Sequence, residues 1–239
     1  MGEYIVSADI ASGTGGEGSS NSSITVLNRR TGQKVLGFAS PSILPYDLAE
    51  LAIAICRWFV DYKGDPAFLI WEANGPGGSE FKTRVELSDF QFYYRRKPKD
   101  SALHARDTGK AGYWTQPRSA LLGPYREALL EGHFDNPDKD GIEELRQYEM
   151  GQDGEPYHSA SKNKDDPSGA GAAHGDRVIS DALAWHASVT FGDQAKNRSR
   201  RSQINVMNVR EGQVPVDSAA HRRAMYLTML RKKKCESKW

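Results

Sequence analysis

Residues 3–10 read Glu-Tyr-Ile-Val-Ser-Ala-Asp-Ile, a run of β-formers that ends in an acid. Strand alternation sets Tyr4, Val6 and Ala8 on one face, and Ile5, Ser7 and Asp9 on the other. A carboxylate on a strand of buried type needs a partner or a cation. Downstream, Ser12–Ser23 is almost all Gly, Ser, Thr and Asn and reads as a loop. Ile24–Leu27 resumes a strand, Asn28–Gly32 forms a hairpin turn, and Lys34–Ser40 is the return strand. The amino-terminal portion is therefore an antiparallel three-stranded meander.

The next segment changes period. Leu48, Leu51, Ala52, Ile55, Phe59 and Val60 recur at helical spacing over Pro45–Tyr62. Pro66–Trp71 is a short apolar strand of the kind buried on both faces, and Glu72 stands at its end. Gly75–Gly78 reads as a break, Ser79–Leu87 as a helix and Gln91–Arg95 as another strand. Helices are expected over Pro117–Glu131, Gly141–Met150 and His174–Val189, with a turn or hairpin over Gly151–Tyr157 and a loop over Ser159–Ala173. This order gives an α/β fold with a central mixed β-sheet flanked by helices.

Composition narrows the function. The 239 residues are 38% hydrophobic and 10% aromatic, enough for a core and too rich in aromatics for a disordered chain. No window approaches a membrane span; the longest apolar stretch, Leu48–Val60, is broken by Glu50 and Arg57. Two cysteines, Cys56 and Cys235, exclude a disulfide framework and point to a reducing cytoplasm. The net charge of +1 hides an asymmetry. Residues 196–239 carry twelve Lys and Arg against three Asp and Glu, which leaves the preceding 195 residues at −8. We therefore divide the chain into a domain over 1–195 and a basic carboxy-terminal extension over 196–239 with a short helix at 217–234. That extension reads either as a solvated tail or as a contact for a polyanion.

Three acids stand at element ends: Asp9, Glu72 and Asp176, the last opening the His174–Val189 helix. Converging acids of this kind suit two hard divalent cations, which take oxygen ligands and serve phosphodiester hydrolysis. Each also has a plain structural reading. Asp9 would accept from loop amides, Glu72 would cap a turn, and Asp176 would be a helix N-cap or the partner of Arg177. Asp181 lies five positions on, about 140° round the helix, so the two cannot both point straight into one site.

Four motifs in order carry a family resemblance. Asp9-Ile10-Ala11-Ser12-Gly13 with Ser22-Ser23 resembles the first acidic motif of the nuclease domain of viral large terminase subunits. Trp71-Glu72-Ala73-Asn74-Gly75-Pro76-Gly77 resembles their second, and Gly112-Tyr113-Trp114-Thr115 with Arg118 their Gly-Trp-x-Thr segment. His174-Gly175-Asp176-Arg177-Val178, running into Asp181-Ala182-Leu183-Ala184, is similar to the last, although Gly175 stands where the family often has an acid.

The resemblance implies an RNase H-like fold. It also implies a metal-dependent endonuclease, using Mg²⁺ or Mn²⁺, that cuts concatemeric phage DNA in the host cytoplasm. Asp9, Glu72 and Asp176 take the metal-ligand positions, with His174 and Asp181 as auxiliary candidates. Double-stranded DNA, the portal and the small terminase subunit are the implied partners. So is a packaging ATPase domain, absent from this sequence, which has no Gly-x-x-x-x-Gly-Lys-Ser/Thr. We read the chain as an isolated nuclease domain. Arg95, Arg96, Lys97 and Lys99, beside Tyr93 and Tyr94, are weak DNA-contact candidates. Two other readings compete. One is a junction resolvase of the same fold, which uses an acid before Ala-Leu-Ala as Asp181 stands here; the other is a non-catalytic DNA-binding or docking module of a packaging machine.

Overall fold

The computed structural model describes residues 3–15, 19–97, 109–113, 117–152, 154–159 and 175–190. The expected meander is present: β1 (Tyr4–Asp9), β2 (Ser22–Asn28) and β3 (Gln33–Ser40) pair antiparallel in that order. β4 (Phe68–Trp71) joins the far edge of β1 in parallel, so the sheet runs β3-β2-β1-β4. The crossover that makes this possible is α1 (Pro45–Trp58). Its Leu48, Ala49, Ala52, Ile53 and Cys56 pack on Val6, Ala8, Ile24, Val26, Leu69 and Trp71. Alternate residues of three strands thus build one core under α1, as the period-2 pattern requires.

α2 (Gly75–Leu87) adds Phe81 and Val85 to that core. It begins four residues before the expected Ser79, because the Gly75–Gly78 run is its first turn and not a break. Pro76 is tolerated there, where its missing N–H has no partner to lose. Gly78 lets the helix approach the preceding strand: a Cβ would lie 2.7 Å from the Ala73 carbonyl carbon. The expected strand at 91–95 is reduced to bridges, Leu69 with Tyr93 in parallel and Arg95 with Ala111 antiparallel. Next come α3 (Arg118–Leu130) and α4 (Lys139–Arg146). A hairpin of β5 (Tyr148–Met150) and β6 (Pro156–His158) follows, so the expected 141–150 helix stops short and its end is strand.

α5, residues 176–190, covers the other face of the sheet. Buried Ile5, Leu27, Phe68 and Ile70 share that face with a polar seam. The Ser7 hydroxyl donates to the Ser180 carbonyl at 2.6 Å, Ser23 to the Asp176 carbonyl at 2.7 Å, and Thr25 lies 3.0 Å from the Ser180 hydroxyl. Ser7, Ser23 and Thr25 are in register across β1 and β2, so this seam lies on the second face of the same alternation. A β-bulge between Val26 and Leu27 sets Lys34 opposite Leu27, on the α5 side, and leaves Val35 exposed. No helix among the described residues is long and apolar enough to cross a membrane.

Candidate metal centre

Parallel pairing of β1 and β4 places Ala8 opposite Trp71, so the next residue of each strand, Asp9 and Glu72, leaves the sheet at the same height and on the same face. The Glu72 N–H donates to the Ala8 carbonyl at 2.9 Å and fixes this register beyond the strand end. The carboxyls of Asp9 and Glu72 come within reach of each other. Asn74 donates its amide to Glu72 Oε1 at 3.0 Å, which orients that side chain.

The third acid comes from α5. Asp176 is buried at its first turn, and its Oδ2 accepts the Asn21 N–H at 2.6 Å. Burial foremost, then the Glu72 charge and hydrogen bond, then the Asp176 charge, hold Asp9 well above the usual carboxylate range; the Ile10 N–H pulls weakly the other way. These are like charges out of water, an arrangement that is costly without a cation.

The structure thus brings Asp9 and Glu72 into contact and sets Asp176 within their electrostatic reach. As the side chains stand, no group of three or more His, Cys, Asp or Glu among the described residues closes round a single point. Asp9 and Glu72 are turned to each other, and Asp176 is turned to Asn21. The donor chemistry nonetheless fits a hard divalent cation: carboxylate oxygens, set where burial and neighbouring like charge disfavour the unbalanced anion.

The auxiliary candidates part company. His174 and Lys99 lie outside the described residues. Asp181 is fully buried and turned toward β3, where Lys34 Nζ lies 2.8 Å from its Oδ1 and Asn136 donates to Oδ2 at 2.8 Å. Thr25 also donates to it, and Tyr125 does so at 3.3 Å. Arg96 is buried, with Nε donating to the Gly112 carbonyl at 3.1 Å, so it is a structural cation and not a free phosphate contact. Arg95 lies on the Tyr93 ring at 4.8 Å and donates to its hydroxyl, while Lys97 donates to the Thr190 carbonyl at 3.2 Å.

Residues that the sequence did not single out surround the acids. Tyr148, at the start of β5, donates to the Gly175 carbonyl at 3.3 Å. Its hydroxyl is pushed up, chiefly by burial and further by Asp9, Asp176 and Glu144, with Arg118 pulling down. Glu144 of α4 accepts the Arg177 N–H at 2.9 Å, and burial is the main cause that lifts its carboxyl to about 7. No spacing signal links these residues, which lie 27 to 33 positions before their partners. A groove of about 760 Å³ lined by Glu3, Arg29, Tyr62 and Trp185 lies near the opposite end of β1 and is separate from the acids.

No protein family and no curated protein matches the sequence. Solved structures do. The large terminase nuclease from thermophilic phage G20c with bound magnesium is similar at a TM-score of 0.51 and 19% identity, over 77% of this chain and 81% of that one. The chain has an RNase H-like fold. Also similar is the nuclease domain of the large terminase subunit of bacterial virus Sf6, at 0.48 and 11% identity, over 77% and 88% of the two chains. The RNase H-like fold accounts for the mixed sheet of β1 to β4.

Proposed function

We propose that this chain is a divalent-metal-dependent endonuclease for duplex DNA, the nuclease component that cuts concatemeric phage genomes during packaging. The observation that carries the reading is the contact of buried Asp9 with half-buried Glu72, with the Asp176 charge bearing on Asp9. The similar G20c terminase nuclease, described with magnesium, supports it. Asp9, Glu72 and Asp176 would hold Mg²⁺ or Mn²⁺, which supplies when bound an activated water and stabilisation of the leaving oxygen.

The chain's own residues prepare that site. Asp9 would present its carboxylate from the end of β1, and Asn74 keeps Glu72 from swinging away. Ser22 accepts the Ala11 N–H at 3.1 Å and so ties the Gly-rich loop after Asp9 to the start of β2. The acidic body repels DNA elsewhere, so phosphate approach depends on bound cations and on the basic residues of 196–239. The setting we propose is the host cytoplasm, with a packaging ATPase domain, the portal and the small terminase subunit as partners.

Supercoiled plasmid incubated with the protein and Mn²⁺ or Mg²⁺ should be nicked and linearised, and excess chelator should stop it. Asp9→Asn should lose cleavage on the order of a hundredfold or more while melting no lower than wild type, because it removes a charge from a repelling cluster. Cleavage that persists in chelator, or an Asp9→Asn variant as fast as wild type, refutes the reading.

A further inference from the structure

Asp176 sits in a backbone pinned from four directions. Before it, Gly175 adopts φ +77°, and a Cβ there would lie 2.4 Å from the Tyr148 hydroxyl oxygen, so the chain can pass only as glycine. The Asp176 carbonyl takes the Ser23 hydroxyl at 2.7 Å. The next N–H, of Arg177, goes to Glu144 Oε2 at 2.9 Å. The Arg177 guanidinium then spreads over three acids of the α4 region: Asp138 at 3.2 Å, Asp140 at 3.4 Å and Glu144 at 3.4 Å. Asp138 in turn caps α4 through the Gly141 N–H and holds Lys34 at 2.8 Å.

We propose that Arg177 is a positioning residue: by locking the first turn of α5 to α4, it fixes the backbone from which Asp176 reaches a divalent cation. The inference rests on the metal-dependent reading above. The physical reason is repulsion. Asp176 must stay near Asp9 and Glu72 when no cation screens them, and a side chain free to swing would turn to solvent. A guanidinium with five donors in a planar fork can bind several carboxylates at once and fix both backbone and orientation, which a lysine ammonium does less well. The backbone that carries Asp176 is then already ordered when the ion arrives, and only the side chain has to turn from the Asn21 N–H.

A merely structural Arg177 would alter melting and nothing else. A positioning Arg177 alters metal affinity. The test is Mn²⁺ binding to the folded protein, read from the loss of the free-ion electron paramagnetic resonance signal. Wild type, Arg177→Gln and Asp140→Asn are compared, with Arg146→Ala as the control for loss of a surface ion pair. Arg177→Gln should weaken Mn²⁺ binding about tenfold. Asp140→Asn removes only the most exposed of the three acids and should weaken it about twofold without threatening the fold. Arg146→Ala should bind as wild type. If Arg177→Gln fails to fold, the Asp140→Asn shift decides. Unchanged Mn²⁺ binding in the folded variants overturns the inference and leaves the nuclease reading intact. Wild type that neither binds Mn²⁺ nor cuts overturns both.

Discussion

Lys34 is the residue whose burial is hardest to sustain. Its ammonium is 3% exposed and lies 2.8 Å from both Asp138 and Asp181. A buried pair of this kind gives little net stability over an apolar replacement, but removing one partner leaves a stranded charge. Lys34→Met should therefore cost about 3–5 kcal/mol in urea unfolding, and adding Asp181→Leu should recover most of it. A single-variant loss below about 1 kcal/mol would contradict the arrangement. The two acids titrate in opposite senses. Burial pushes Asp138 up, but Lys34, the Gly141 N–H and Arg177 outweigh it, so its contribution is present above the usual carboxylate range and fades as pH falls through its lowered value. Burial holds Asp181 up despite Lys34 and Thr25, so its contribution is present in acid and is lost as pH rises through its raised value. None of this was legible in the sequence. Alternation places Lys34 with Leu36 and Phe38, and only the bulge at Val26–Leu27 turns it to the other face.

At the scale of elements, the junction of α4 with α5 decides where Asp176 stands, and Glu144 is its titrating member. Its carboxyl is lifted to about 7, so the folded state favours the protonated form. The contribution is complete below the ordinary glutamate range near 4.5 and is lost as pH rises through about 7. Glu144→Gln cannot titrate. The melting temperature of that variant minus that of wild type should thus climb between about pH 4.5 and 7 and level off above. Melts at half-unit steps would show it, and a flat difference would mean Glu144 ionises normally. Elements with strong periodicity were readable: the meander, α1 and the long apolar α5 keep their expected places. Two were misjudged for identifiable reasons. Glycines at 75–78 look like a break, yet close packing on Ala73 requires them inside α2. Residues 91–95 have strand composition but are limited to bridges with Leu69 and Ala111.

For the whole molecule, alternation sets a mixed sheet with two buried faces, one apolar under α1 and one under α5 that mixes Ile5, Leu27 and Ile70 with a polar seam. The adjacency of Asp9 and Glu72 was not readable, because 63 positions separate them and only the parallel pairing of β1 with β4 joins them. The motif resemblance marked which acids to compare; the strand order brought two of them together. Their third companion belongs to the last helix described, and that has a consequence in time. During synthesis β1, β2 and β4 leave the ribosome long before residues 176–190. Until that helix arrives, Ser7, Ser23 and Thr25 lack their α5 partners, and Lys34 lacks Asp181. A nascent chain cannot bury its polar seam or bring Asp176 to Asp9 before that helix arrives, so on the nuclease reading proposed above cutting would await it. A fragment ending at residue 174 should show no cooperative melt and no plasmid nicking, and adding a peptide of residues 175–190 should restore part of both. A fragment that melts cooperatively and nicks DNA alone would place the clasp elsewhere.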